Sequence, residues 1–130
     1  MDRSDVERDV KETFGLVPEW ISIVPDAVLE SEWHTLKTFQ LGETAIPNKY
    51  KELIGLAVSG ATRCSYCAYF HREAARLFGA TDDEINEAAF MAKHTMGWST
   101  YLNALQFDHD RFIEEFEQIA DHVRAQMANA

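Results

Sequence analysis

The chain has 130 residues, of which 46% are hydrophobic, and a formal net charge of −10 from 22 acidic and 12 basic residues. This length predicts one domain over residues 1–130 with enough apolar side chains for a packed core. The charge disfavours partnership with nucleic acid or an anionic membrane surface, and no apolar run approaches the ~20 residues that span a bilayer. Eight Phe, four Tyr and three Trp are many large side chains for one small domain, so we expect self-association.

The first residues, MDRSDVERDVKE, are acidic and polar, unlike the basic and then apolar opening of a signal peptide. We therefore expect a cytoplasmic protein, in a compartment where a structural disulfide does not normally persist. There, a CxxC pair is typical of redox chemistry or metal binding.

Apolar residues recur at helical spacing almost throughout, which predicts an all-α fold. A first helix is expected over residues 4–14, followed by an irregular segment that is broken by Pro18 and Pro25. Asp26 can then cap a helix that runs to about residue 40. Its predicted inward-facing residues are Val28, Leu29, Trp33, Leu36 and Phe39.

The next predicted helix has Pro47 at its first position and loosens at Gly60. Thr62 is a plausible cap for a further helix, which contains the two cysteines and ends at residues 78–79.

Two more helices complete the predicted chain. Thr81 and Glu84 form a T-x-x-E capping box that opens a helix, which Gly97 is expected to interrupt before a short helical segment. Asp108 or Asp110 starts the last helix.

The two cysteines, Cys64 and Cys67, lie close to His71, and the spacings of three and four residues put all three side chains on one helical face. A cysteine reacts as the thiolate, and an unperturbed thiol with a pKa of ~8.5 is mostly protonated at neutral pH. The start of the helix favours an anion at Cys64, whereas His71 can take the proton of Cys67. Because a directed base acts on one particular proton, we expect Cys67 to attack and Cys64 to resolve.

The sequence resembles the alkylhydroperoxidase D and carboxymuconolactone decarboxylase superfamily. The resemblance rests on the spacing of three features. Glu52 is followed after eleven residues by the pair CSYC at residues 64–67, and His71 follows after three more. The stretches AIPNKYKELIGLAV, FHREAARLFGATDDEINEA and WSTYLNALQFD also resemble this family. The similarity covers about residues 25–115.

This resemblance implies an alkylhydroperoxidase D-like helical protein that assembles as a homotrimer or homohexamer. It implies a thiol-dependent peroxidase or dithiol–disulfide oxidoreductase, in which Cys67 attacks a hydroperoxide and Cys64 closes the disulfide. Glu52 and His71 would relay the proton from Cys67 through water. A dithiol reductant, such as a lipoyl-type carrier, would restore the thiols, and no bound cofactor is required.

One position departs from the family pattern. In alkylhydroperoxidase D proteins the corresponding motif is CSHC, with a histidine directly before the second cysteine. In this chain Tyr66 stands in place of that histidine. A phenol with a pKa near ~10 holds a hydrogen bond but is a poor proton shuttle at neutral pH. We therefore expect a shorter relay, and either lower activity or a different substrate.

Four other interpretations remain open at this point. The cysteines can be small side chains of a core. With Glu52 and His71 they are also four legitimate zinc ligands. The other branch of the superfamily suggests a decarboxylase-like lyase, although those members rely on histidine rather than on a CxxC pair. A redox sensor that reacts once with oxidant is the non-enzymatic alternative.

Overall fold

The structure is a computed structural model that describes residues 1–130, and it is all-helical, as the sequence predicts. Seven α-helices and one π-helical segment follow one another along the chain. Their bounds are α1 Arg3–Phe14, α2 Glu19–Ser22, α3 Asp26–His34, the π-helix Thr35–Gln40, α4 Asn48–Thr62, α5 Ser65–Leu77, α6 Asp82–Ala104 and α7 His109–Ala128. None of these helices combines the length and the apolar character that a membrane-spanning segment requires.

Two of the predicted helix starts have the expected caps. The hydroxyl of Thr81 accepts the N–H of Glu84 and the carboxylate of Glu84 accepts the N–H of Thr81, both at 3.0 Å. The carboxylate of Asp108 accepts the N–H of Arg111 at 3.1 Å and caps α7. Each bond satisfies a backbone donor that the first helical turn leaves free.

Two predicted caps are wrong. Asp26 is the first residue of α3 rather than its cap, and its carboxylate pairs with the guanidinium of Arg3 at 2.5 Å. The hydroxyl of Thr62 donates to the carbonyl of Val58 at 2.9 Å within α4, and α5 is capped by Cys64 instead. In both cases a polar side chain has found a different partner nearby.

Two predicted interruptions also differ. Gly97 does not break α6, which is continuous from Asp82 to Ala104. A glycine costs a helix only about 1 kcal/mol relative to alanine, which flanking helical residues offset. The segment between the prolines contains the short helix α2, which begins directly after Pro18.

The helix that begins as α3 continues as a π-helix in its last six residues. Over Thr35–Gln40 the backbone is π-helical, and the N–H of Leu41 bonds the carbonyl five residues back, at Leu36, at 3.0 Å. Lys51 of α4 closes this end, since its ammonium donates to the carbonyl of Phe39 at 2.5 Å and to that of Gly42 at 2.9 Å. The π-helix is thus fixed to α4.

The chain divides into two compact units, and the boundary falls within α6. The first unit, Met1–Ala89, has two buried apolar clusters. One joins α1, α2 and α3 and consists of Val6, Val10, Ile21, Leu29 and Trp33, while the other joins α4, α5 and α6 and consists of Leu56, Ala75 and Ile85. Of the residues predicted to face inward on the third helix, Val28 and Phe39 are exposed.

The second unit, Phe90–Ala130, contains the rest of α6 and the whole of α7, and none of its residues is buried. Its large apolar side chains include Trp98, Tyr101, Phe112, Ile113, Phe116, Ile119 and Val123, all of them exposed. The protomer therefore leaves these faces uncovered. Single-domain organisation over residues 1–130 stays a prediction.

Candidate functional site

The candidate site lies where α4 and α5 pack together in the first unit. Glu52 is on α4, and Cys67 and His71 are on α5, which Cys64 caps. The close approach of the helices depends on Gly55, one turn after Glu52: a Cβ atom there would lie 2.5 Å from Nδ1 of the His71 ring. The absence of a side chain at residue 55 leaves room for the imidazole against α4.

The buried carboxylate of Glu52 is bonded to His71. Glu52 is 0% exposed, and its Oε2 lies 2.6 Å from Nδ1 of His71, whose side chain is 21% exposed. Because an ionised carboxylate can only accept, Nδ1 carries the proton of this bond. In a neutral imidazole Nε2 is then the nitrogen that is free to accept a proton.

The two cysteines are free thiols in direct contact. Their sulfur atoms are 2.7 Å apart, and Sγ of Cys64 also accepts the N–H of Cys67 at 3.3 Å. The hydrogen bond from the Cys67 side chain, together with that from its N–H, lowers the pKa of the Cys64 thiol. Donating that same bond to Cys64, together with desolvation, raises the pKa of the Cys67 thiol. In the reduced pair, negative charge is therefore favoured on Cys64.

A cavity of about 350 Å³ gives access to one of the two sulfur atoms. It is lined by Trp20, Leu36, Gln40, Tyr66, Cys67, Phe70 and His71, whereas Cys64 is not part of its wall. The lining is mainly apolar, with a thiol and an imidazole in it. Such a cavity suits a small molecule with an apolar body and one polar reactive group.

The residues predicted from the sequence fall into two contacting pairs, Glu52 with His71 and Cys64 with Cys67. No hydrogen bond joins the pairs, but Cys67 and His71 share the wall of one cavity. Tyr66, which stands where the family has histidine, is 87% exposed and makes no hydrogen bond through its side chain. The phenol therefore holds neither thiol in place.

Sequence reasoning missed three residues of the cavity, Trp20, Gln40 and Phe70. Gln40 donates through Nε2 to the other carboxylate oxygen of Glu52, at 3.3 Å. The sequence predicts Gln40 only as the end of a helix, because nothing in the local sequence shows that the last turn is π-helical. Trp20 belongs to the segment between the prolines, where the expectation of an irregular backbone leaves no helical face to assign, although the structure places it in α2.

The zinc interpretation requires at least three of the four side chains to converge. No group of three or more His, Cys, Asp or Glu side chains is arranged to hold a metal ion. The four side chains therefore form two separate hydrogen-bonded pairs and do not converge as ligands of one metal ion.

Comparison with known proteins identifies the family of the chain. The model of the carboxymuconolactone decarboxylase family matches residues 25–110, more than half of the chain. A curated relative, "Uncharacterized protein 4 in cox locus" of Paracoccus denitrificans, is 30% identical over 78 residues, which are 60% of this chain and 70% of the relative.

Among solved structures, the fold is similar to the crystal structure of the alkylhydroperoxidase AhpD core from Rhodospirillum rubrum. The TM-score is 0.68 with 29% sequence identity, over 85% of this chain and 84% of the other. The matched family and the matched structure are both named after enzymes. On its family match and its fold, the chain belongs to the carboxymuconolactone decarboxylase family and is alkylhydroperoxidase D-like.

Proposed function

We propose that this protein is a dithiol peroxidase that reduces organic hydroperoxides. The observation that carries the proposal is the shared cavity: a thiol and an imidazole line it together, and a second sulfur lies 2.7 Å from the first. A thiol, a base held by a buried carboxylate and a neighbouring resolving thiol are the groups that two-cysteine peroxide reduction needs.

Cys67 is the attacking residue in this proposal, because it faces the cavity and Cys64 does not. The pKa of Cys67 is raised and that of Cys64 is lowered, so Cys67 must give up its proton before it reacts. Nε2 of His71, which shares the cavity wall with Cys67, can receive this proton through a water molecule.

In the first step the Cys67 thiolate attacks the terminal oxygen of a hydroperoxide ROOH. An S–O bond forms and the O–O bond breaks, with its electron pair leaving on RO⁻. The alkoxide takes up the proton that His71 holds and departs as ROH. The sulfur is oxidised by two electrons to the sulfenic acid, and the peroxide is reduced by two.

In the second step the Cys64 thiolate attacks the sulfur of the sulfenic acid. The S–S bond forms, the S–O bond breaks, and hydroxide leaves as water after it takes up a proton. The lowered pKa of Cys64 suits this role, because it favours the ionised form of the resolving sulfur. A dithiol reductant, such as a dihydrolipoyl group, then exchanges with the disulfide, so that the reductant is oxidised and both cysteines return to thiols.

We also infer that the protein works as a homo-oligomer, a trimer or a hexamer by resemblance to its family. The support comes from the second unit, where large apolar side chains of α6 and α7 are exposed in the protomer. Exposed apolar faces of this extent are typical of interaction surfaces. A second copy of the chain supplies the same kind of face.

The test is steady-state consumption of tert-butyl hydroperoxide with dihydrolipoamide as reductant. The wild type is compared with Cys67→Ser, Cys64→Ser and the control Tyr69→Phe, which changes an exposed side chain on the same helix. We expect turnover in the wild type and the control, none in Cys67→Ser, and in Cys64→Ser a single oxidation without recycling by the dithiol.

Wild type without turnover, in which both thiols still form a disulfide readily, would contradict the peroxidase and favour a sensor or an oxidoreductase with another substrate. Activity that persists after both thiols are alkylated would instead favour a lyase.

A further inference from the structure

The carboxylate of Glu52 has two hydrogen-bond partners, and only one of them belongs to the chemistry proposed above. Its Oε2 bonds His71 at 2.6 Å, and its Oε1 accepts from Nε2 of Gln40 at 3.3 Å. Glu52 is 0% exposed. A buried carboxylate needs a donor on each oxygen, since a charged oxygen that loses its partner inside a protein has no water to replace it.

Gln40 reaches this carboxylate from outside the α4–α5 pair. It is the last residue of the π-helix Thr35–Gln40. The wider π turn alters the direction of the side chains that follow it, and such turns are frequent at functional sites. Gln40 also lines the cavity that contains Cys67 and His71. Its amide is therefore both part of the cavity wall and bonded to the buried acid.

The backbone around Gln40 is fixed by the residue that precedes Glu52. The ammonium of Lys51 donates to the carbonyl of Phe39 at 2.5 Å, to that of Gly42 at 2.9 Å and to the hydroxyl of Thr44 at 2.7 Å. Adjacent residues of α4 thus bind the end of the π-helix through its backbone and through the Gln40 side chain. This double attachment restricts the distance between the amide and the carboxylate.

We infer that Gln40 is a positioning residue for the Glu52–His71 pair, an inference that rests on the proposed peroxidase function. Its amide holds the Glu52 carboxylate in the rotamer that directs Oε2 to Nδ1 of His71. The imidazole is thereby kept in the tautomer whose Nε2 can accept a proton. Gln40 acts through Glu52 and takes no part in bond making or breaking.

The first readout does not depend on activity. A short Nδ1–H···carboxylate bond gives a far-downfield proton resonance in the NMR spectrum, which is assigned to His71 by its loss in His71→Asn. We expect this resonance to shift or disappear in Gln40→Met, which keeps the length of the side chain and removes the donor. It should stay unchanged in Thr38→Ala, a control on the same π-helix whose hydroxyl bonds only the carbonyl of His34.

The second readout is the single-turnover rate at which tert-butyl hydroperoxide oxidises the thiol. We expect Gln40→Met to slow it about tenfold, the size of one hydrogen bond to a charged group. In a Glu52→Gln background the same change should have no further effect, because the residue through which it acts is already altered. Gln40→Glu keeps the shape and places an acid against the carboxylate, so a larger loss is expected, and it serves as the second variant if Gln40→Met does not fold.

An unchanged His71 resonance in Gln40→Met, or in Gln40→Glu, overturns the inference whatever happens to the rate. So does a further loss of rate in the Glu52→Gln background, which would point to direct contact with substrate. A shifted resonance in a protein whose wild type does not reduce hydroperoxide upholds the positioning role and overturns the proposed function, so the two failures are distinguishable.

Discussion

The two units of the chain differ in whether they bury their apolar side chains. Met1–Ala89 buries two apolar clusters and one carboxylate, and every residue of the candidate site belongs to it. Phe90–Ala130 contains comparable apolar side chains and buries none of them. The first unit can fix the geometry of its side chains from within, whereas the second requires another surface to remove its apolar area from water.

The largest expected effect falls on the chemistry of the first unit. Cys67→Ser should reduce hydroperoxide turnover to the uncatalysed background, since a hydroxyl does not ionise at neutral pH or form a sulfenic acid. Peroxide consumption measures this directly. Residual turnover that is abolished only by Cys64→Ser would show that the other sulfur attacks.

The next effect falls on the second unit. Phe116→Glu with Ile119→Glu puts two charges on the exposed apolar face of α7 and should convert the assembly to monomers, weakening association at least about tenfold for each side chain. Light scattering after size-exclusion chromatography measures the mass, with Gln118→Glu as a control on the same helix. A wild type that is already monomeric would remove the proposed contrast between the units.

A smaller effect, on the free energy of unfolding, should distinguish two glycines of α4. Gly55→Ala forces a methyl group to within 2.5 Å of the His71 ring and should lower the free energy of unfolding by about 1–3 kcal/mol. Gly60→Ala meets nothing within 4 Å and should stabilise the protein by about 0.5–1 kcal/mol. Thermal or urea unfolding measures both. Equal changes in the two variants would contradict the close packing at His71.

The mildest change is a shift in pH dependence. The raised pKa of Cys67 means that its thiolate, and hence its alkylation by iodoacetamide, reaches half its maximum above the pH of an ordinary thiol. Cys64→Ala removes the main cause, so this midpoint should move to lower pH. In Cys67→Ala the lost donor should move the midpoint of Cys64 upward. Ser65→Ala is the control, and coinciding midpoints in all variants would contradict the coupling of the thiols.

Much of the fold, and the placement of the two cysteines and His71 on one helical face, could be predicted from the sequence, because these features depend on short spacings. Helical periodicity located the main helices, and the T-x-x-E pattern correctly located the start of α6. The contact between Glu52 and His71 joins two helices, and it was expected from the family resemblance rather than from spacing.

The remainder depends on tertiary packing. The pattern that places Val28 and Phe39 on an apolar face does not say whether the protomer itself covers that face, and both are exposed. The bond from Gln40 to Glu52 requires a π turn that arises from packing against α4 and the bonds of Lys51. Cys64 rather than Thr62 caps α5, because α4 includes Thr62 and ends only at Arg63, whose backbone is left-handed.

Cys64 caps α5 with the same sulfur that the proposed cycle oxidises. In the reduced protein that sulfur accepts the N–H of Cys67, and a disulfide sulfur is a much poorer acceptor than a thiolate. Each turnover would then release and remake the capping bond of the helix, and a lost cap costs a helix about 1 kcal/mol. Amide hydrogen exchange at the start of α5 should therefore be faster in the oxidised protein, so that the helix end itself reports the redox state.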